Sequence, residues 1–362
     1  MQTQQTAMRV INYKRMRLVI GLIAFLMPIT VWLLSGHPGL SSISIAYWSH
    51  SQDIFVGSLF AVGFFMMAYN GAGRCEKLEK WLSRAACIFA ICIALFPTLD
   101  FNDQIDDAPA WILYISNNKP HIIHYTAAIS LFICLFLMLL FFSFRASRKD
   151  KTGRSMTYLG FSIGMIIGMP VLYYILDKLL GWYDSIFYVE WLGLGLFGAG
   201  WFVAGAYKTE DQGVPDTATK LKTIPNVNPG KRDFSTGIEV EVGAEYFFLA
   251  EGCWKDWFIR CGPDGWGPKW NAFTYKNRIK KQPFFRLCGN VGKSNDEDLM
   301  FSIGDKNRWS VPEKVQQLED RELYLFANDR PTDFAYKNNK AIEADHGGPL
   351  RVTIYRLKSD EV

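Results

Sequence analysis

"DSIFYVEWLGLGLFGAGWFVAGAY" (residues 184–207) runs directly into "KTEDQGVPDTATKLKTIPNVNPGKRDFST" (208–236), and the change of chemistry at that junction divides the chain. The first stretch is apolar apart from Asp184 and Glu190. Its length matches the roughly 17 to 25 residues that a helix needs to cross the hydrocarbon core of a bilayer. The second stretch contains three prolines, several Thr and Asp and no apolar periodicity, so it reads as a flexible linker.

Five more apolar segments lie upstream, at 18–35, 53–70, 82–98, 121–143 and 156–178. The first follows Lys14, Arg15 and Arg17 as the core of a signal peptide would, but no small-residue cleavage pattern follows it. The expectation is therefore a membrane α-helical bundle of six transmembrane helices over residues 1–207, contacting lipid on its outer faces. Gly160, Gly164 and Gly168 in the fifth span, and Gly193, Gly195, Gly198 and Gly200 in the sixth, permit close helix approach. Pro170 predicts a break in the fifth.

Lys and Arg between the spans set the orientation. Thirteen fall before the first span and in the second and fourth connections, against two (Lys119 and Lys178) on the other side. Both termini and everything after Tyr207 are thus expected in the cytoplasm. No cysteine falls in a predicted outer loop, so no disulfide framework is expected.

The outer ends of the spans gather His37, His50, Asp100, His121 and His124, with Glu190 just inside the sixth span. Ionisable groups at membrane depth cost about 2.5 to 3.5 kcal/mol at the helix centre, which makes them functional candidates. His121 and His124 are three apart and share a helix face. A set of His50, Asp100, His121, His124 and Glu190 would suit zinc with an open position for water, the site of a membrane hydrolase. The alternatives are interfacial polar residues and, for Glu190, an interhelical hydrogen bond.

From Gly237 onward, "IEVEV", "EYFFLA", "FFRLCGNV", "LMFSIG", "ELYLFA" and "LRVTIYRL" are strand-like runs between turn signals, which predicts an all-β sandwich domain over 237–362. Trp254, Trp257, Trp266, Trp270 and Trp309 are too many for one small core, so some are expected on a binding face. "LFANDRPTDFAYKNN" (325–339) opens a long connection rich in oxygen ligands, and calcium takes roughly six to eight oxygens from carboxylates, amides and carbonyls. Asp329, Asn338 and Asn339 are candidate ligands. "GNVGKS" (289–294) lacks the spacing of a phosphate-binding loop and reads as a turn. "YKNRIKK" (275–281) is basic, a pattern that fits nucleic acid, acidic lipid or a solvated loop. No nucleic-acid partner is expected.

Two resemblances follow. "SISIAYWSHSQDIFVGSLFAVGFFMMAYNG", "ACIFAICIALFPT", "HYTAAISLFICLFLML" and "VEWLGLGLFGAGW" resemble a group of uncharacterised bacterial six-span membrane proteins and, more distantly, the DRAM-type superfamily. That resemblance implies a six-helix fold in a bacterial inner membrane and no catalytic residues. "AEGCWKDWF", "CGPDGWG", "FRLCGNVG", "MFSIGDKNRWSV" and "YLFANDRPTDFAYKNN" resemble the LecA-type (PA-I-like) galactose-binding bacterial lectins. It implies calcium held by Asp329, Asn338 and Asn339, with the Trp257 carbonyl contributing and Ala335 where the family has a threonine ligand. The His and Gln that grip galactose in that family have no counterparts in "PKWNAFTYKNRIKKQPFF" (268–285).

Nucleophile–base and nucleotide-loop signatures are missing, so binding is expected rather than catalysis. The function expected is an inner-membrane protein whose cytoplasmic lectin-like domain binds a carbohydrate-like ligand, through calcium, as sensor or effector. The alternatives are the intramembrane metal hydrolase and a scaffold that recruits a protein partner.

Overall fold

The computed structural model describes residues 13–37, 39–69, 77–102, 104–105, 108–206, 213–337, 339–342 and 348–358. Both termini, whose side of the membrane was inferred from charge, lie outside these residues. The chain divides into two compact units, Met1–Gly71 with Leu78–Phe142 and Met156–Thr209, and Ala72–Lys77 with Ser143–Ser155 and Glu210–Val362.

The first unit is helical. Four helices are long and apolar enough to cross a membrane: Arg15–Leu34, Pro120–Arg148, Thr152–Leu179 and Ser185–Ala206. They match the first, fourth, fifth and sixth predicted spans. The second is the shorter apolar helix Gln52–Ala68. The third is the helix Lys77–Leu95, whose first two turns carry Lys77, Glu79, Lys80 and Arg84 and so shorten its apolar run. Leu22, Phe25, Ile129, Ile133 and Ile166 are exposed on the helices, a distribution that suits lipid and not water. The break predicted at Pro170 takes the form of a π-helical turn, Gly164–Gly168, immediately before it, and a second follows at Tyr174–Leu179. A proline ring cannot continue the i to i−4 ladder, and wider turns absorb the mismatch.

Gly198 is a contact point, as its sequence context predicts, and its partner is Gly21. A Cβ on Gly198 would lie 2.8 Å from the Gly21 carbonyl oxygen, and one on Gly21 would lie 2.7 Å from the Gly198 oxygen. Backbone therefore meets backbone where Tyr13–Leu34 crosses Ser185–Ala206.

The second unit is built from antiparallel sheets. Strands β1 (Ala218–Ile224), β2 (Phe234–Glu239), β3 (Glu245–Glu251), β4 (Trp254–Asp256), β5 (Ile259–Cys261), β6 (Leu287–Val291), β7 (Met300–Ser302), β8 (Lys306–Ser310), β9 (Glu322–Ala327), β10 (Asn339–Ala341) and β11 (Arg351–Leu357) follow in chain order. One sheet runs β1-β11-β3-β8, a second β2-β9-β6-β7, and a small third β10-β4-β5. A single core takes Phe248 and Ile354 from the first sheet and Leu287, Val291 and Leu325 from the second, which makes the pair a sandwich. The predicted runs at 284–291, 299–304, 322–327 and 350–357 contain β6, β7, β9 and β11, the run at 245–250 covers all of β3 but its last residue, and the run at 238–242 overlaps only the end of β2.

Two expectations change. The segment read as a linker supplies β1, because Ala218–Ile224 pairs along the free edge of β11, and it also supplies the start of β2. Cys253 is buried and disulfide-bonded, whereas Cys87, Cys92, Cys134 and Cys288 are free thiols.

The helix crossing supplies a direct test. Gly198→Ala should destabilise the protein by about 1–3 kcal/mol through overpacking. Gly195→Ala, with no atom within 4 Å of the added carbon, should leave melting in detergent unchanged. Equal melting of the two variants would show that the helices do not meet there.

Candidate functional site

The five residues of the zinc reading are held separately. Glu190 Oε2 accepts the Ile43 amide at 2.6 Å and also the Ser44 amide, so it caps the 3-10 turn Ser44–Trp48. Asp100 Oδ1 accepts the backbone amides of Asn102 and Gln104 at 2.8 and 2.7 Å, closing its own turn. His124 is buried with Nδ1 2.7 Å from the Phe96 carbonyl. His50 packs against Gly36, and His121 lies near Tyr125. Among the described residues no three His, Cys, Asp or Glu side chains converge on a common point. Both carboxylates accept backbone amides, and Glu190 caps the Ser44–Trp48 turn.

The loop after β9 is organised differently. Asn328, fully buried, fixes its start: Oδ1 accepts from the Ile279 amide at 2.8 Å, and Nδ2 donates to the carbonyls of Ile279 and Pro283. Its backbone amide donates to the Arg286 carbonyl at 2.8 Å. A short helix, Asp333–Lys337, then turns the chain back, anchored by buried Tyr336, whose hydroxyl donates to the Ala327 carbonyl at 3.3 Å. The return strand β10 pairs with β4 and sets Asn339 opposite Asp256.

This route brings Asp329 and Asn339 together. Asn339 Nδ2 lies 3.4 Å from Asp329 Oδ2 and donates to the Pro229 carbonyl at 3.2 Å, while Arg330 N donates to Asp329 Oδ1 at 2.7 Å. Both side chains are buried, and Asn339 Oδ1 has no hydrogen-bond partner. Burial pushes the Asp329 carboxyl above the usual carboxylate range, opposed by the Arg330 and Asn339 donors. Burial also pushes Asp256 up; Trp266 Nε1, donating at 2.9 Å, opposes the rise and the Asp329 charge adds to it. Two acids in one field and an orphaned amide oxygen form a donor set that an oxygen-seeking cation would relieve.

Of the other loop residues named from sequence, Ala335 sits within the Asp333–Lys337 helix, and Asn338 lies outside the described residues. Trp257 follows Asp256 directly. Its φ of 49° is in the left-handed region, costly for a bulky residue, and its side chain is 70% exposed beside Phe258, with ring centroids 5.1 Å apart. The expectation that some tryptophans face outward holds for Trp257 and Trp270, whereas Trp254 is buried and Trp309 stacks on Phe301 at 3.9 Å.

Sequence reasoning missed Asp256 and Asn328. Asp256 has no loop signature, and only the pairing of β4 with β10 brings it to Asn339. Asn328 was visible beside Asp329, but its role depends on contacts about 46 residues away in sequence.

No family model matches the sequence, and no curated protein matches it. Among solved structures, a chain titled "EclA N-terminal domain; PllA-like lectin" aligns at 20% identity over 39% of this chain and 99% of its own, with a TM-score of 0.26. The functional reading below rests on the loop residues and not on that likeness.

The raised carboxyls of Asp329 and Asp256 predict a pH dependence. With folded pKa values above the unfolded value of about 3.9, the folded state holds more protons in the window between them, so stability falls as pH rises through it. In the presence of a chelator, thermal unfolding followed by tryptophan fluorescence should occur at progressively lower temperature as pH rises from about 4 through the weakly acidic range. Asp329→Asn should flatten that slope, and an unchanged slope in this variant would assign the dependence elsewhere.

Proposed function

We propose that the β unit is a carbohydrate-binding module displayed from a six-span bundle (residues 1–207) in a bacterial inner membrane, with its ligand-binding part at 237–362. In this reading Asp329, Asn338 and Asn339 hold a calcium ion, Asp256 adds a second carboxylate, and the Trp257 and Ala335 carbonyls complete the set. Trp257 and Phe258 offer an apolar surface to the face of a sugar ring.

The observation that carries the reading is the meeting of Asp329 and Asn339, buried, with Asn339 Oδ1 unpaired and two exposed aromatic rings following Asp256. A bound calcium ion offers further coordination positions to paired hydroxyl oxygens, the commonest chemical feature of sugars. The protein's own groups do the rest: Trp266 orients Asp256, Arg330 N orients Asp329, and the left-handed backbone at Trp257 turns its ring outward. The ligand class is carbohydrate-like and not galactose in particular, since the region 268–285 carries no histidine for the hydroxyl-gripping His and Gln pair that the lectin resemblance would require.

A glycan array probed with the full chain, with and without calcium, tests this. Calcium-dependent binding is expected. Asp329→Asn and Asn339→Ala should each weaken calcium binding by more than about tenfold, because ligand charge and number set affinity. Trp257→Ala keeps its carbonyl, so it should lower glycan binding and leave the calcium-dependent rise in melting temperature intact. No glycan binding together with no calcium-dependent melting shift would reject the function.

The cytoplasmic side for both termini is part of the same proposal, supported by thirteen Lys and Arg against two. A fluorescent-protein fusion after Val362 should be bright in bacterial cells and an alkaline phosphatase fusion inactive. An active phosphatase would reverse the orientation.

A further inference from the structure

The segment 268–283, "PKWNAFTYKNRIKKQP", contains five cations and no acid, and the calcium site does not use it. It is a built element. Asn271 Oδ1 accepts the Phe273 amide at 3.0 Å and caps the 3-10 turn Ala272–Lys276. Thr274 is buried under that turn, its hydroxyl donating to the Asn271 carbonyl at 2.7 Å. At the other end Arg278 points inward and pairs with Asp233 at 2.8 Å, with its guanidinium 4.2 Å from the centre of the Phe326 ring. Thr274 and Arg278 thus pin the loop from within.

The side chains left outside are of two kinds. Trp270, Phe273 and Tyr275 are 47%, 58% and 57% exposed, although aromatic rings of this size are usually covered. Lys276 and Lys281 are exposed, with Lys281 5.7 Å above the Tyr275 ring, whereas Lys280 is paired with Glu297. Rigid amphipathic rings interleaved with cations suit the headgroup layer of a bilayer, where Trp and Tyr concentrate and anionic lipids attract Lys. Aromatic rings with cations also suit single-stranded nucleic acid. The bilayer is favoured because the chain carries its own apolar helices. Within the second unit, Trp270 packs edge-on against Phe144 at 5.7 Å, and the Lys269 amide donates to Ser147 Oγ at 3.0 Å. Phe144 and Ser147 are the last turns of Pro120–Arg148, a helix long and apolar enough to cross a membrane.

We propose that the 270–281 loop docks on the anionic lipid surface of the membrane that holds the chain, with Trp270, Phe273 and Tyr275 in the headgroup layer and Lys276 and Lys281 on lipid phosphates. The proposal rests on the membrane reading of the helical unit and is independent of calcium and sugar.

The test is hydrogen–deuterium exchange of the full chain reconstituted in lipid nanodiscs of phosphatidylcholine alone or with phosphatidylglycerol. Amides of 270–281 should exchange several-fold more slowly in the anionic discs, and high salt should abolish the difference. The double variants Phe273→Ser/Tyr275→Ser and Lys276→Glu/Lys281→Glu should each lose the protection, while exchange in Leu287–Val291 stays unchanged and reports an intact sandwich. Equal exchange in the two discs would overturn the proposal. So would protection gained in phosphatidylcholine discs only on adding a single-stranded oligonucleotide. Failure of the chain to co-elute with either disc would remove the membrane reading itself, and the docking proposal with it.

Discussion

The second unit depends on how a long connection leaves strand β9 without a ladder to satisfy its backbone, and the buried amide of Asn328 is the device that allows it. A buried side chain with both donor and acceptor can replace a missing strand partner, provided all of its groups are used. Here Oδ1 takes the Ile279 amide and Nδ2 reaches the carbonyls of Ile279 and Pro283. The backbone on either side closes with Arg286 and Phe285. One residue thereby fixes Asp329 on its C-terminal side and the 279–283 turn across from it. An apolar residue at 328 would leave the Ile279 amide unpaired in the core, at the ~1–3 kcal/mol that an orphaned buried group costs. Both functional readings, the oxygen site and the aromatic loop, begin from this joint.

Much of the architecture was legible because it depends on local pattern. Apolar runs of span length and alternating aromatic and β-branched residues report their secondary structure directly. Six of the eleven strands were harder to find. β1, at the edge of its sheet, has mostly exposed side chains, and its neighbours Pro215 and Pro225 read as linker chemistry. It is a strand because the edge of β11 needs a partner, a tertiary requirement with no local signature. β4, β5 and β10 are three residues each and acquire meaning only through one another. The site divides in the same way: Asp329 and Asn339 stand in one readable loop, whereas Asp256 joins them through a strand pair of 83 residues' separation in number. Glu190 stayed open in the sequence for the opposite reason. An acid within an apolar span has the same sequence signature whether it is catalytic or caps a turn, and the capping contact with the Ile43 amide appears only in the fold.

Charge and redox chemistry bear on the compartment from opposite directions. Thirteen cations against two favour a cytoplasmic tail, while disulfides belong mainly to oxidising compartments. Thiol–disulfide exchange requires access to a sulfur, and Cys253 is fully buried in the second unit.

The same compartment argument constrains the oxygen site. An acid whose charge is disfavoured by burial can be relieved by a proton, by a donor or by a cation. In this structure the donors are Trp266 for Asp256 and Arg330 N with Asn339 for Asp329. They leave the Asp329 carboxyl still raised and Asn339 Oδ1 still unpaired, so relief is incomplete. Replacing Asp329 with Asn would remove the buried charge but would set an amide donor against Arg330 N or Asn339 Nδ2, both of which donate to the acid. Under the calcium proposal, the acceptors left unsatisfied at Asp329 and Asn339 are those that a cation would take.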